Sequence, residues 1–275
     1  MIVWIASFPK SGNTWIRAFL SSYLYYDVKK KSFDFNILKN IKRFPNSQQF
    51  KDIGVSPKNF EDVAKSWIPL QKKINSNNKV NFLKTHNAFG GLENFPFTNK
   101  ENTLGAIYLV RDPRDVLVSY SKHVDQGINE TLKLILENNH MGALEGSNNV
   151  FSELRASWSQ NYNSWKNFNL GEKIIVRYED LIEDPFAFFC KIINFLNKLF
   201  GLEFNEEKIR QCIKITDFNN LQDLEKKLGF SENIKSKELF FNKGKVGQWK
   251  KFLSDEIVKK IEIKFEKEMK ELNYI

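Results

Sequence analysis

The 275 residues predict an α/β fold with a central parallel β-sheet of four to five strands, flanked by helices and followed by a helical C-terminal third. Three observations carry this. Short, continuous apolar runs rich in β-branched residues recur at 1–8, 80–84, 104–110 and 173–178, the pattern of strands buried on both faces. Segments of helical periodicity separate them, as crossovers between parallel strands require. Beyond residue 178 the strand pattern stops and helical periodicity continues.

The first run, MIVWIASF, passes through a polar loop into TWIRAFLSSYLYY, whose apolar positions follow a helical period. Residues 27–58 mix Lys, Asn and Phe without a clear period. NFEDVAKSWIPLQKKI predicts a helix interrupted at Pro69. VNFLK is the second strand, and the Gly and Pro of THNAFGGLENFPF mark a loop after it. LGAIYLV is the third strand, and DPRDVLVSYSKH turns from it into a helix with Asp112 as N-cap and Pro113 at the first helical position. SELRASWSQNYNSWKNF predicts an aromatic-rich helix before the fourth strand, KIIVRY, which closes at Tyr178. Helices near 184–200, 205–214 and 217–228 follow, then an irregular basic segment and a terminal helix. No repeat and no Gly/Ser- or Pro-rich linker divides the chain, so a single domain over 1–275 is expected.

Hydrophobic residues make up 41% of the chain, which excludes wholesale disorder. A formal net charge of +9 raises nucleic acid, a membrane surface or a phosphorylated small molecule as partners. Most lysines, however, are interleaved with glutamates, as in DEIVKKIEIKFEKEMKEL, the pattern of a solvated helix face, so no nucleic-acid partner is expected. The two cysteines, Cys190 and Cys212, lack metal-like spacing, which argues against a disulfide framework and fits a reducing compartment. No run of about 18 apolar residues appears, so no stable membrane insertion is expected. The first residues read as a strand and leave no room for a signal-peptide n-region; a cytoplasmic location follows.

The loop PKSGNTW lies where ligands of open α/β sheets bind, beyond the carboxyl end of a strand and at the start of a helix. Gly12 permits close approach of backbone to an anion, Lys10 supplies a charge, and Ser11 and Thr14 supply hydroxyl donors. The order differs from the G-x-x-x-x-G-K-[ST] loop, because Lys10 precedes Gly12 and no glycine lies upstream. A phosphoryl group carries several charges and needs a divalent ion, whereas a sulfuryl group carries one, which lysines and backbone N–H groups can offset. No metal site is therefore expected.

FPKSGNTW resembles the 5′-phosphosulfate loop of the sulfotransferases that use 3′-phosphoadenosine 5′-phosphosulfate (PAPS). The P-loop-like fold is part of that resemblance. It implies cofactor contacts from Lys10, Ser11, Gly12, Asn13, Thr14 and Trp15, with Trp15 stacked on adenine. FLKTHNAF resembles the family segment carrying the catalytic base, which implies His86 as general base and Lys84, with Lys10, as charges facing the departing phosphate oxygen. IYLVRDPRDVLVSY resembles the 3′-phosphate segment, implying Arg111 and Ser119, whereas Arg114 and Asp115 are expected in a surface charge network. VRYEDL and ITDFNNL resemble the adenine-contacting segments and imply Tyr178, Thr216 and Phe218. FFNKGKVGQWKKFLSDE resembles the R-K-G-x-x-G-x-W-K loop that closes on the 3′-phosphate, implying Asn242, Lys243 and Gly244. Asn242 stands where that pattern has arginine and Gln248 where it usually has Asp, so the grip on the 3′-phosphate is expected to be weaker.

The resemblance implies transfer of a sulfuryl group from PAPS to a hydroxyl or amine of a small-molecule acceptor, leaving 3′-phosphoadenosine 5′-phosphate (PAP). Two other readings stand beside it: a nucleotide kinase on a similar frame, distinguished by a divalent-ion requirement, and an RNA- or phosphate-binding protein, distinguished by steep salt dependence. The acceptor is not legible. Phe89, Phe95 and Phe97 could line an apolar pocket, and core packing explains them equally well. The cytosolic dimer pattern K-x-x-x-T-V-x-x-x-E is absent after Trp249, which leaves the oligomeric state open.

Overall fold

The structure is a computed structural model and describes residues 1–25, 32–138, 141–143, 151–233 and 238–275. Its strands are β1 (Ile2–Ser7), β2 (Lys42–Arg43), β3 (Asn81–Thr85), β4 (Gly91–Leu92), β5 (Phe95–Pro96), β6 (Thr103–Val110), β7 (Met141–Ala143), β8 (Phe151–Leu154) and β9 (Glu172–Arg177). Its helices are α1 (Asn13–Tyr25), α2 (Ser47–Asp52), α3 (Phe60–Asn75), α4 (Pro113–Val124), α5 (Ile128–Leu136), α6 (Trp158–Lys166), α7 (Tyr178–Glu183), α8 (Pro185–Phe200), α9 (Glu206–Ile215), α10 (Phe218–Leu228), α11 (Trp249–Phe252), α12 (Asp255–Lys264) and α13 (Glu266–Glu271), with a 3₁₀ turn at Phe35–Asn40.

Five strands form the central parallel sheet in the order β2-β3-β1-β6-β9. All six residues of β1 are buried, as its unbroken apolar sequence requires. β1 pairs in parallel with β3 on one side and β6 on the other. The strand order therefore reverses at β1, and the loop leaving its carboxyl end sits at a topological switch point.

The chain divides into two compact units. The first comprises 1–8, 41–109 and 137–175; the second comprises 9–40, 110–136 and 176–275. The first unit is centred on packed aromatics: Trp4 lies 4.9 Å from Phe97, and Trp67 lies 5.5 Å from the same ring. The second is mainly helical, and its Phe19 and Phe189 stack at 3.7 Å. Such pairs add about 0.5–1.5 kcal/mol beyond the apolar area they bury.

Several elements differ from the sequence expectation. β2 arises in the stretch without a clear period, because two residues are too few to show alternation. Pro69 lies inside α3 without ending it. The buried face formed by Val63, Ala64, Trp67 and Leu70 holds the helix through the lost N–H bond. The aromatic helix begins at Trp158 rather than residue 152: Phe151–Leu154 is β8, paired antiparallel with β7. The break has a local cause, since Ala156 adopts a left-handed φ of 57° and Ser157 caps the helix by accepting from the Gln160 N–H. Tyr178 opens α7 instead of closing β9.

Candidate active site

The anion loop belongs to the second unit. Gly12 has a φ of +96°, and its carbonyl accepts from the N–H groups of Trp15 and Ile16, so α1 starts at Asn13, one residue before the helical pattern of the sequence. Lys10 takes a φ of +65°, a left-handed conformation that costs a non-glycine residue about 1–2 kcal/mol. Its ammonium lies 3.8 Å over the Phe240 ring. The Ser11 side chain is fully buried, and its hydroxyl has no hydrogen-bond partner among the described residues. A buried hydroxyl left so costs about 1–3 kcal/mol, which an anionic oxygen accepting its proton would offset. The loop thus fits the 5′ end of a phosphosulfate donor. Asn13, Thr14 and Trp15 are buried beside it.

Arg111 follows β6 and is nearly buried. One guanidinium nitrogen donates to the Lys10 carbonyl and the other to the Lys245 carbonyl, each at 3.1 Å. Its plane lies 4.3 Å from the Tyr178 ring, whose phenol burial pushes to a higher pKa. One side chain therefore ties the anion loop to the glycine-rich loop. Ser119 lies on α4, and Asp112 caps that helix by accepting from the Arg114 N–H, with Pro113 following as expected.

Arg114 and Asp115 are not surface residues, contrary to expectation; they are 5% and 1% exposed. Arg114 pairs with Asp112 and Glu262, donates to the Tyr274 carbonyl and lies 4.0 Å over the Trp249 ring. The Asp115 carboxylate accepts from the N–H groups of Gly247 at 2.7 Å and Trp249 at 3.0 Å. Apart from Asp112, these partners lie more than a hundred residues away in sequence, where local charge patterning carries no signal.

The glycine-rich loop is fixed from other sides as well. Glu225 is buried and accepts from the N–H groups of Phe240 and Phe241. The Asn242 carboxamide donates to Glu238, and the main-chain carbonyl of Asn242 accepts from the Gln222 side chain. Lys243 is exposed, its ammonium 4.8 Å from the Phe252 ring. The Thr216 hydroxyl is buried and donates to the Cys212 carbonyl. Gly244 has a φ of +57°, and a Cβ added there would lie 2.6 Å from the Phe218 ring. Gly244→Ala is therefore expected to displace Phe218 or the loop and to weaken PAP binding about tenfold or more, measured by calorimetry; unchanged affinity would remove Phe218 from the donor site.

The first unit holds the other candidates. Lys84 is a buried residue of β3, and His86 follows the strand end at Thr85. The His86 Nδ1 lies 2.8 Å from the Ser7 carbonyl and 3.3 Å from the Ser7 hydroxyl. A carbonyl only accepts, so Nδ1 carries the proton of the neutral ring and Nε2 keeps its lone pair. The His86 N–H donates to Glu153 at 3.3 Å, and its carbonyl accepts from Asn161 at 3.1 Å. Burial and then the Lys84 charge hold the imidazole well below its ordinary pKa, with Glu153 opposing. Glu153 is itself fully buried; burial pushes its carboxyl up, but Arg43 at 2.7 Å and Arg155 at 3.3 Å outweigh this and keep it ionised.

Ser7, Asp115, Glu153, Asn161 and Glu225 were not legible as site residues. Only Ser7 carried a usable signal, as a polar residue at the end of a buried strand. His123 lies on α4 beside Tyr120 and Phe240, and His140 lies outside the described residues. Phe97 is wholly buried among Trp4, Phe44 and Trp67, which makes it core. Phe89 packs on Trp165 and Phe168.

A P-loop-like parallel α/β sheet whose first strand leads into an anion-type loop defines the class of protein, one that binds an anionic nucleotide. A family model described as the sulfotransferase domain matches residues 2–273, and the chain belongs to that family. It is a sulfotransferase whose donor is PAPS. Flavonol 3-sulfotransferase of Flaveria bidentis is 26% identical over 270 residues, covering 94% of this chain and 79% of that protein. Cytosolic sulfotransferase 8 of Arabidopsis thaliana is 28% identical over 273 residues, 96% and 76% of the two chains. Among solved structures, retinol dehydratase in complex with androsterone and inactive cofactor PAP superposes with a TM-score of 0.63 at 17% identity, over 98% of this chain and 80% of that one. A mouse sulfotransferase complexed with PAP gives 0.59 at 18%, over 98% and 84%. Both share the fold. No helix among the described residues is long and apolar enough to cross a membrane.

Proposed function

We propose that the protein moves the sulfuryl group to a hydroxyl or amine of a small-molecule acceptor with His86 as general base, acting as a single cytoplasmic domain over 1–275 without a metal ion. The observation that carries the assignment of the base is the 2.8 Å contact of His86 Nδ1 with the Ser7 carbonyl, which leaves the Nε2 lone pair for an incoming proton. PAPS, when bound, supplies an activated sulfuryl group. Lys10, Ser11, Gly12, Asn13 and Thr14 would hold its 5′ end, Arg111, Ser119, Asn242, Lys243 and Gly244 its 3′-phosphate, and Trp15, Tyr178, Thr216 and Phe218 its adenine. His86 takes the acceptor proton at Nε2, and Lys84 and Lys10 offset negative charge on the departing side. Lys10 exchanges its contact with Phe240, worth about 0.5–2 kcal/mol, for that anion.

The names of the relatives support a small hydroxylated acceptor: two are flavonol sulfotransferases, and the retinol dehydratase complexes hold androsterone or retinol. A panel of hydroxylated and amine metabolites incubated with sulfur-labelled PAPS tests this, with labelled product expected from at least one of them. The lowered pKa of His86 sets the pH dependence. The neutral base predominates above its folded-state pKa, so kcat/KM is expected to stay flat across neutral pH and to fall only well below the ordinary histidine value of about 6.5. An acid limb centred at or above that value would contradict the assignment.

A further inference from the structure

We propose that Asp115 is a positioning residue for the 3′-phosphate end of the donor site, latching the glycine-rich loop through two main-chain N–H groups. The proposal rests on the assignment of Arg111 and residues 242–244 to the 3′-phosphate. Asp115 stands in the first turn of α4 with 1% of its surface exposed. Its two oxygens divide the work: Oδ2 accepts from Gly247 at 2.7 Å and Oδ1 from Trp249 at 3.0 Å. The Arg111 guanidinium approaches the same carboxylate at 3.9 Å and donates to the Lys245 carbonyl at 3.1 Å. Three successive parts of the loop, at 245, 247 and 249, are thus tied to two residues, Arg111 just before the α4 N-cap and Asp115 in its first turn.

The direction of the coupling follows from desolvation. A buried carboxylate is costly unless its lone pairs are used, and here the loop's own backbone uses them. Opening the loop would strip Asp115 of both N–H donors, so the carboxylate favours the closed arrangement. Burial pushes its pKa up, and Arg111 and the two loop N–H groups oppose that cost. The Gly247 φ of +71° shapes the chain for this contact. The sequence adds a reason for such a latch: with Asn242 engaged by Glu238, no guanidinium precedes Lys243, and the loop must act through an ordered backbone and lysines. Asp115 itself carries the wrong charge to touch phosphate.

The test compares the affinities of PAP and of 5′-AMP, which lacks the 3′-phosphate, for the wild-type protein, Asp115→Ala and Asp115→Asn. The wild type is expected to prefer PAP. Asp115→Ala is expected to lose at least about tenfold of that preference through PAP alone, with AMP affinity kept. Asp115→Asn, nearly isosteric and able to accept only through one oxygen, is expected to fall between them. PAP-bound wild type should also resist cleavage within 243–249 more than either variant. Equal weakening of both nucleotides, or an unchanged preference in a folded variant, would overturn the proposal by reducing Asp115 to a packing role or to none. A wild type that binds PAP no tighter than AMP would overturn it differently, by removing the 3′-phosphate assignment beneath it.

Discussion

Replacing His86 with alanine is expected to lower the rate of sulfuryl transfer by about 10²–10⁴ while leaving PAP affinity nearly intact. The asymmetry has a structural reason. The main-chain bonds of residue 86, from its N–H to Glu153 and from Asn161 to its carbonyl, do not depend on the imidazole. Alanine therefore keeps the segment after β3 in place and removes only the ring that Ser7 orients. Single-turnover transfer and PAP calorimetry on the same preparation separate the two effects. If transfer and PAP binding fell together, His86 would belong to the donor-binding surface and the base would have to be sought elsewhere.

Arg111→Ala carries the second large effect. The guanidinium donates to carbonyls in two different loops, at Lys10 and Lys245, and lies over Tyr178. Its removal is expected to weaken PAP by about 10²-fold or more, since charge-assisted hydrogen bonds contribute about 1.5–3 kcal/mol each. Arg111→Lys is expected to recover little, because one ammonium cannot reproduce the planar fork that reaches both carbonyls. PAP binding at wild-type strength in Arg111→Ala would show that the 3′-phosphate is held without it.

Much of this was legible in the residues alone, for reasons that differ by element. β1 and β6 announce themselves because strands buried on two faces must be largely apolar, whereas β3 and β9 show only short apolar centres, at Phe82 and Leu83 and at Ile174–Val176, between polar ends. The cap formed by Asp112 and Pro113 is local chemistry and can be read from neighbouring letters. Loop residues such as Gly12 and Gly244 are legible because a left-handed backbone selects glycine. The carboxylates that hold the site in shape were hidden. Asp115 looked like a surface charge because its partners, Gly247 and Trp249, are remote in sequence. Glu153 lay inside a predicted helix, and only the turn at Ala156 makes it part of a strand beside His86. Burial created by long-range packing decided both cases, and periodicity does not record it.

The most direct test of the central claim is a transfer assay with sulfur-labelled PAPS and an accepted acceptor in the presence of a metal chelator. The account predicts that label appears in the acceptor in step with PAP, undiminished by the chelator and lost in His86→Ala. Transfer that instead required a divalent ion and a nucleoside triphosphate, with no label moved from PAPS, would contradict it.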